Sequence, residues 1–398
     1  MPGAATAAAS SRKPEFMGRP DKPGDDGRRG ARFLALDVFR GLAVALMIVV
    51  NTPGPGAHPF RWLVHATWFG FTGADVVFPS FLFAVGCSMA FAFRRPMSQR
   101  AFAAKVLRRA ALIFALGFLM YWYPFVHRLD GGGWALNPLG DTRIMGVLQR
   151  IALCYALGAF AVRYQTPSTL VLLCVALLAV YWVILLAGGD PADPFAKLSN
   201  AGTRLDLAVL GQSHLYRRDG GFDPEGLLGT LPATVNVIAG YLAARYLTRT
   251  PDRGRAMVRM ALAGLVLTLT ALAWGPWFPV AKKLWTGSFV LLTCGIDLVV
   301  LAGLTGWLEG RRPGPAARVF QVFGANPLVI YLFSELFVTT LQQVQVTPGV
   351  GVYDWIGQHV FQAAVPGPVG SLLCAIAYTL TCWLLGYVLF RRKIVIRL

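Results

Sequence analysis

The sequence predicts an all-α polytopic membrane protein: a bundle of about ten transmembrane helices with both termini cytoplasmic. Three observations carry this. Apolar residues make up 56% of the 398 and charged ones 14%, against about 25% charged in an ordinary soluble domain. The apolar residues fall in blocks of roughly twenty, the length a helix needs to cross the hydrocarbon core. The basic residues also sort to one side of those blocks. Together these exclude a soluble enzyme with one compact core and a disordered scaffold.

Taken in order, residues 1–32 are rich in Ala, Pro, Gly, Ser and charge, and are expected to form a flexible cytoplasmic tail. No cleavable signal peptide is expected, because the first long apolar run begins near Phe33 and leads into more membrane-type sequence. One membrane domain then occupies 33–398. Its expected spans are 34–52, 74–93, 106–125, 144–163, 168–187, 227–246, 257–276, 286–307, 319–341 and 369–390. Each reads as a helix, since the bilayer interior offers no partner to an open strand. With the N-terminus inside, 26 of the 37 Lys and Arg fall in inner segments and nine in outer loops. That bias sets the orientation and puts loops 53–73 and 188–226 outside.

The net charge of +18 does not point to nucleic acid, because the cations cluster in short loops between apolar blocks. Cys87, Cys154, Cys174, Cys294, Cys374 and Cys382 lie inside apolar blocks without CxxC spacing. They read as small packing residues, and neither a metal site nor a disulfide framework is expected.

Near the N-terminal half, the ionisable residues Asp37, Arg40, Asp75 and Arg150 stand within or at the edge of spans. Charge there is costly and usually faces a bundle interior or a cavity. Asp37 and Arg40, three apart, share a helical face and suit an ion pair. The loop after the first span is the most informative. It runs Asn51-Thr52-Pro53-Gly54-Pro55-Gly56, then His65-Ala66-Thr67-Trp68, then Ala74-Asp75-Val76-Val77-Phe78-Pro79. His65 reads either as an interfacial packing residue or as a proton-exchanging group near neutral pH. Asp75 reads either as a helix N-terminal partner or as the carboxylate that orients the imidazole. Asn51 suits hydrogen bonding to a developing oxyanion. Arg143 and Arg150 suit an anionic group or pairing with Asp141, with structural pairing favoured for Arg150. His214 lies in the long outer loop, and Asn326 and Glu335 belong to the ninth span. His58, His127 and His359 read as interfacial or loop residues. P-loop, zincin, GxSxG and dinucleotide fingerprints are not found, so ATPase, protease and dehydrogenase readings lack support.

These segments, with Leu36-Asp37-Val38-Phe39-Arg40-Gly41-Leu42, Arg143-Ile144-Met145-Gly146-Val147-Leu148-Gln149-Arg150, Asp223-Pro224-Glu225-Gly226-Leu227-Leu228-Gly229-Thr230, Lys282-Lys283-Leu284-Trp285 and Phe323-Gly324-Ala325-Asn326-Pro327, resemble the heparan-α-glucosaminide N-acetyltransferase family. The likeness runs over about 33–390. It implies a membrane acyltransferase, in a bacterial-type short form of the inner membrane, with a short polar tail where the animal enzyme has a lumenal domain. It would use cytoplasmic acetyl-CoA to acetylate an amino sugar or related glycan at the outer face. Heparan sulfate is not the expected acceptor. The resemblance places the active-site residue at His65, with Asn51 and Asp75 beside it. Arg40 and Arg150 are the candidate acetyl-CoA contacts, and His214, Asn326 and Glu335 the candidate sugar contacts. The expected partners are the sugar, acetyl-CoA and the lipid bilayer, with room for a homodimer. The competing reading is a transporter of amino sugars such as N-acetylglucosamine, which buried charges and Gly-rich spans also suit.

Overall fold

The computed structural model describes residues 33–93, 96–129, 133–308 and 313–396. The expected tail, 1–32, lies outside them. Helices dominate: α1 Leu34–Asn51, α2 Val77–Ala92, α3 Gln99–Trp122, α4 Val147–Tyr164, α5 Pro167–Gly188, the short α6 Ala201–Leu210, α7 Thr230–Arg249, α8 Arg253–Trp274, α9 Gly287–Leu308, α10 Pro315–Ala325, α11 Pro327–Gln343, the short α12 Val352–Ile356 and α13 Pro368–Arg391. The described sheet is confined to two small antiparallel hairpins, Val126–Arg128 with Trp134–Leu136 and Gln345–Thr347 with Val350–Gly351.

Against the ten spans expected, six helical segments among the described residues are long and apolar enough to cross a membrane: α1, Gly73–Ala92, α5, α8, α9 and α13. The pair α10 and α11 makes a seventh if it is one span, although it bends by 81° at Asn326. Pro327 accounts for the break: its ring cannot continue a helix begun upstream, and it opens the next one as an N1 residue. The expected segments 106–125, 144–163 and 227–246 are helical as α3, α4 and α7, yet they fall outside this set. Their charged and polar residues lower their mean hydropathy, among them Lys105, Arg108 and Arg109 in α3, Arg150 and Arg163 in α4, and Asn236 and Arg245 in α7.

The burial pattern explains how those helices are tolerated. α5 is apolar all round, α8 is apolar beyond Arg259, and both are largely uncovered, as suits a lipid-facing wall. α2, α4 and α7 sit within the bundle, where polar groups find partners. α2 and α7 meet backbone to backbone: a Cβ at Gly86 would strike the Val237 carbonyl, and one at Gly240 the Phe83 carbonyl. Small residues permit that approach, which maximises dispersion contact where lipid supplies no hydrophobic drive. The core continues through Val44, Ile48, Phe78, Leu82, Leu148, Tyr155, Trp285 and Phe289. At the ends of α5 and α8 a second cluster of Tyr181, Phe195 and Phe278, with Trp182 and Trp274 against it, fixes the loops that carry the site.

Candidate active site

The loops after α1, α3, α6 and α8 surround a cavity of about 1040 Å³. His65, Asn51 and Glu335 line it, with Tyr121, Arg143, Tyr216, Glu225, Lys282 and Tyr331 among the other walls. Residues distant in sequence thus converge on one polar chamber at one end of the bundle.

The His65 loop is built around Asp75. This fully buried carboxylate accepts from the His65 ring through Oδ1, with Nδ1 at 2.8 Å. Its Oδ2 accepts from Thr72 N at 2.9 Å, Thr72 Oγ1 at 3.1 Å and Ala66 N at 3.3 Å. The Thr72–Asp75 exchange is a capping box that starts the turn into α2. The two readings of Asp75 are therefore not alternatives: one carboxylate caps the helix entry and orients the imidazole. Because Nδ1–H donates to Asp75, Nε2 presents its lone pair toward the cavity, where Lys282 Nζ lies 3.3 Å away. His65 remains 35% exposed in its side chain, so a substrate can reach it. Burial and Lys282 lower its pKa, the Asp75 bond raises it, and the balance lies below the ordinary value.

The Lys282 turn is anchored just as firmly. Gly70 N donates to Val280 O at 2.8 Å, in a parallel bridge between Gly70 and Ala281 that ties the two loops together. Trp285 adopts φ +56°, a left-handed conformation that costs a non-glycine residue about 1–3 kcal/mol and survives only where surroundings over-determine it. They do so here: its indole donates to Asn236 Oδ1 at 3.2 Å, Arg150 stacks over its ring at 4.9 Å, and Phe78 and Phe289 meet its edges. Tyr181 adds a bond to the Leu284 carbonyl at 2.5 Å.

Arg143 does not pair with Asp141. It donates to Asp223 (Nε at 3.0 Å, Nη2 at 2.5 Å), to Glu225 at 2.6 Å and to Tyr121 Oη at 3.2 Å, between the rings of Tyr121 and Tyr216. Asp141 instead faces Arg217 at 3.4 Å. Against the cost of burial, Arg143, Lys282 and Arg150 hold Glu225 below the ordinary carboxylate range. Asn51 ends α1 and donates to Glu335 Oε1 on α11 at 3.0 Å.

Five sequence-expected residues do not line this cavity: Asp75, which acts on it through His65, and four others. Arg150 is buried and donates to the carbonyls of Pro224 and Gly226 at 2.9 and 2.8 Å, fixing the loop that carries Glu225. His214 Nδ1 meets the Thr142 carbonyl at 2.7 Å in the loop layer. Asn326 holds the segment after α13, donating to Ile394 O and accepting from Ile396 N, both at 2.9 Å. Arg40 pairs with Asp37 at 2.8 Å and donates to Ser88 and the Gly324 carbonyl. It borders a smaller cavity of about 120 Å³ with Arg109, Tyr155 and Leu328. Sequence reasoning singled out neither Lys282 nor Glu225 as a site residue. The signals available were the family-like segments Lys282–Trp285 and Asp223–Thr230, which place both residues in short stretches between apolar runs.

Fold and cavity together define a helical membrane protein with a carboxylate-oriented histidine at the wall of a polar chamber. A sequence model described as heparan-alpha-glucosaminide N-acetyltransferase, catalytic, matches residues 32–273, and the chain belongs to this family. Two curated relatives carry the name heparan-alpha-glucosaminide N-acetyltransferase. The one from Mus musculus is 28% identical over 365 residues, covering 77% of this chain and 53% of the relative. The one from Homo sapiens is 27% identical over 367 residues, with the same coverage. The chain spans about half the length of the curated relatives it matches.

Proposed function

We propose that the protein transfers an acetyl group from acetyl-CoA to the amine of an amino sugar or related glycan. The transfer would take place in the His65 chamber, on the outer side of a bacterial inner membrane crossed ten times, with both termini cytoplasmic. The observation that carries this reading is the His65–Asp75 pair with Nε2 turned into a cavity large enough for a sugar. An amine acceptor is protonated near neutral pH and cannot attack until it loses a proton. His65, held neutral, accepts that proton at Nε2 or carries the acetyl group itself; Asp75 keeps the required tautomer and offsets the imidazolium charge. Asn51 donates to the oxyanion, and Glu335 receives the cationic amine of the incoming sugar.

Acetyl-CoA supplies the activated thioester. Arg40 and Arg109 fit its anionic end: Arg109 Nε is buried without a hydrogen-bond acceptor among the described residues. A route inward is supported by the spacing of the two cavities. On α4, Val147 borders the larger and Ile151 the smaller; on α11, Tyr331 borders the larger and Leu328 the smaller. At 1.5 Å rise per residue the two are separated by about one helical turn.

The test is reconstitution in vesicles with labelled acetyl-CoA on one side and glucosamine on the other. Labelled N-acetylglucosamine by mass spectrometry is the expected product. Unmodified sugar crossing at full rate without acetyl-CoA, with no acetylated product, would overturn the enzyme and favour the transporter.

A further inference from the structure

Resting on the reading above, we infer that Lys282 is a further catalytic residue: its ammonium guards Nε2 of His65 in the resting site and passes to the acyl oxygen when the acceptor amine takes Nε2. Three features of the site carry the assignment.

The first is direction. An ammonium has donors and no lone pair, and Asp75 already receives Nδ1–H, so the 3.3 Å contact is Lys282 donating to the Nε2 lone pair. Lys282 therefore occupies the atom through which His65 acts.

The second is the division of labour between adjacent lysines. Lys283 turns to the rim and pairs with Asp219 at 2.8 Å, and Lys197 meets the same carboxylate from the loop before α6. Lys282 turns inward, and among the described residues its hydrogen bond is the one to His65. Burial pulls its pKa below the ordinary lysine value, Glu225 and Asp75 oppose this at longer range, and Lys283 and Arg150 add to it. This leaves the ammonium held near the site without a tight partner to strip away.

The third is construction. The turn bearing Lys282 contains a left-handed tryptophan clamped by Asn236, Arg150 and two phenylalanines, and it is bridged to the His65 loop at Gly70. A surface lysine on an incidental turn needs none of this. The strain is invested in fixing one backbone position opposite the imidazole.

The chemistry balances. The acceptor ammonium first releases one proton to solvent, and His65 Nε2 takes the second proton as the amine nitrogen bonds to the acyl carbon. It returns that proton to sulfur as the C–S bond breaks with its electron pair. Lys282 keeps its own protons and donates a hydrogen bond to the acyl oxygen while that oxygen carries the displaced carbonyl pair.

The experiment compares wild type, Lys282→Met and Lys282→Arg as purified, monodisperse full-length proteins in nanodiscs. The pH midpoint of His65 is read from carbethoxylation by diethyl pyrocarbonate, followed on its own peptide by mass spectrometry, and kcat is measured with acetyl-CoA and glucosamine. The charged groups facing His65 are Asp75 from the turn into α2, Lys282 from the turn before α9 and Glu225 from the loop before α7. Only Lys282 changes here. Loss of the cation should raise the midpoint by about one unit and lower kcat by about 10²–10³-fold. Lys282→Arg should restore the midpoint and part of the turnover. A midpoint that stays put in Lys282→Met, or a kcat loss below about threefold, overturns the assignment while wild-type turnover stands. Wild-type protein that acetylates no amine overturns the functional reading instead.

Discussion

Asp75 Oδ1 stands 2.8 Å from His65 Nδ1, while the other oxygen of the same carboxylate closes the turn that carries both residues into α2. One side chain thus fixes the loop and selects the imidazole tautomer, which couples folding of this segment to its chemistry. His65→Ala should abolish most activity and leave the bundle monodisperse. Asp75→Asn should lower turnover by about 10²–10⁴-fold. Its pH profile has a definite sign. Burial holds His65 below 6.5, so the acid limb of kcat/KM lies under that value in wild type. Asp75 pulls the pKa upward, so its loss moves the limb to still lower pH. A limb that moves up would refute the orientation of the pair.

Asn51 and Glu335 should separate by kinetics. Asn51→Ala removes the donor proposed for the oxyanion and should cost about 10²–10³ in kcat, about 2.7–4 kcal/mol. Glu335→Gln keeps an acceptor for Asn51 but loses the charge proposed to draw a protonated amine. It should raise KM for glucosamine with kcat nearly unchanged. A fall in kcat at constant KM would move Glu335 from binding into the chemical step.

Asp206 governs the loop that carries Glu225. It is buried on α6, accepts from Leu227 N at 2.8 Å, and burial pushes its pKa from 3.8 to about 6. A carboxyl raised on folding stabilises the native state fully below its unfolded value and loses that contribution as pH rises through the folded one. Stability should therefore decline between those two values. Asp206→Asn keeps the acceptor without the charge, so it should melt like wild type in strong acid and higher above neutrality. The difference should reach about 3 kcal/mol. Thermal unfolding of the detergent-solubilised pair across pH checks this. Equal melting temperatures throughout would show Asp206 to be solvated in the native loop.

The short barrier between the two cavities should be sensitive to bulk. Ile151→Trp and Leu328→Trp should block acetyl transfer from acetyl-CoA while leaving His65 as reactive to small modifiers as before. Binding of CoA should weaken as salt is raised, because the proposed contacts at Arg40 and Arg109 are charge-assisted. Isothermal titration at low and high ionic strength reads this directly. A salt-independent Kd would remove those arginines from the binding site.

Much of the frame was legible because membrane solvation acts residue by residue. An apolar run of twenty is a helix in lipid whatever its neighbours do, and each expected segment does contain one. Span count was less legible. Hydropathy in α3, α4 and α7 is diluted by residues such as Lys105, Arg150 and Asn236, and the burial of the last two depends on helices far away in the chain. The bend at Asn326 was written in Pro327, but its 81° angle appears only in the folded bundle, where α10 and α11 both pack against α1 and α13.

The sequence by itself determined the helical membrane class, the family, and the short-range grouping of Asn51, His65 and Asp75 around one loop. Local rules suffice there: capping, side-chain chemistry and a spacing of ten residues need no distant partner. Only the tertiary structure decided which charges serve the chamber. Arg143 passed over nearby Asp141 for Asp223 and Glu225, Arg150 was consumed by the carbonyls of Pro224 and Gly226, and Lys282 was delivered to His65 from 217 residues away. The physical reason is that a buried charge must find compensation in three dimensions. Which partner it finds is settled by how the helices pack, and no periodicity along the chain records that choice.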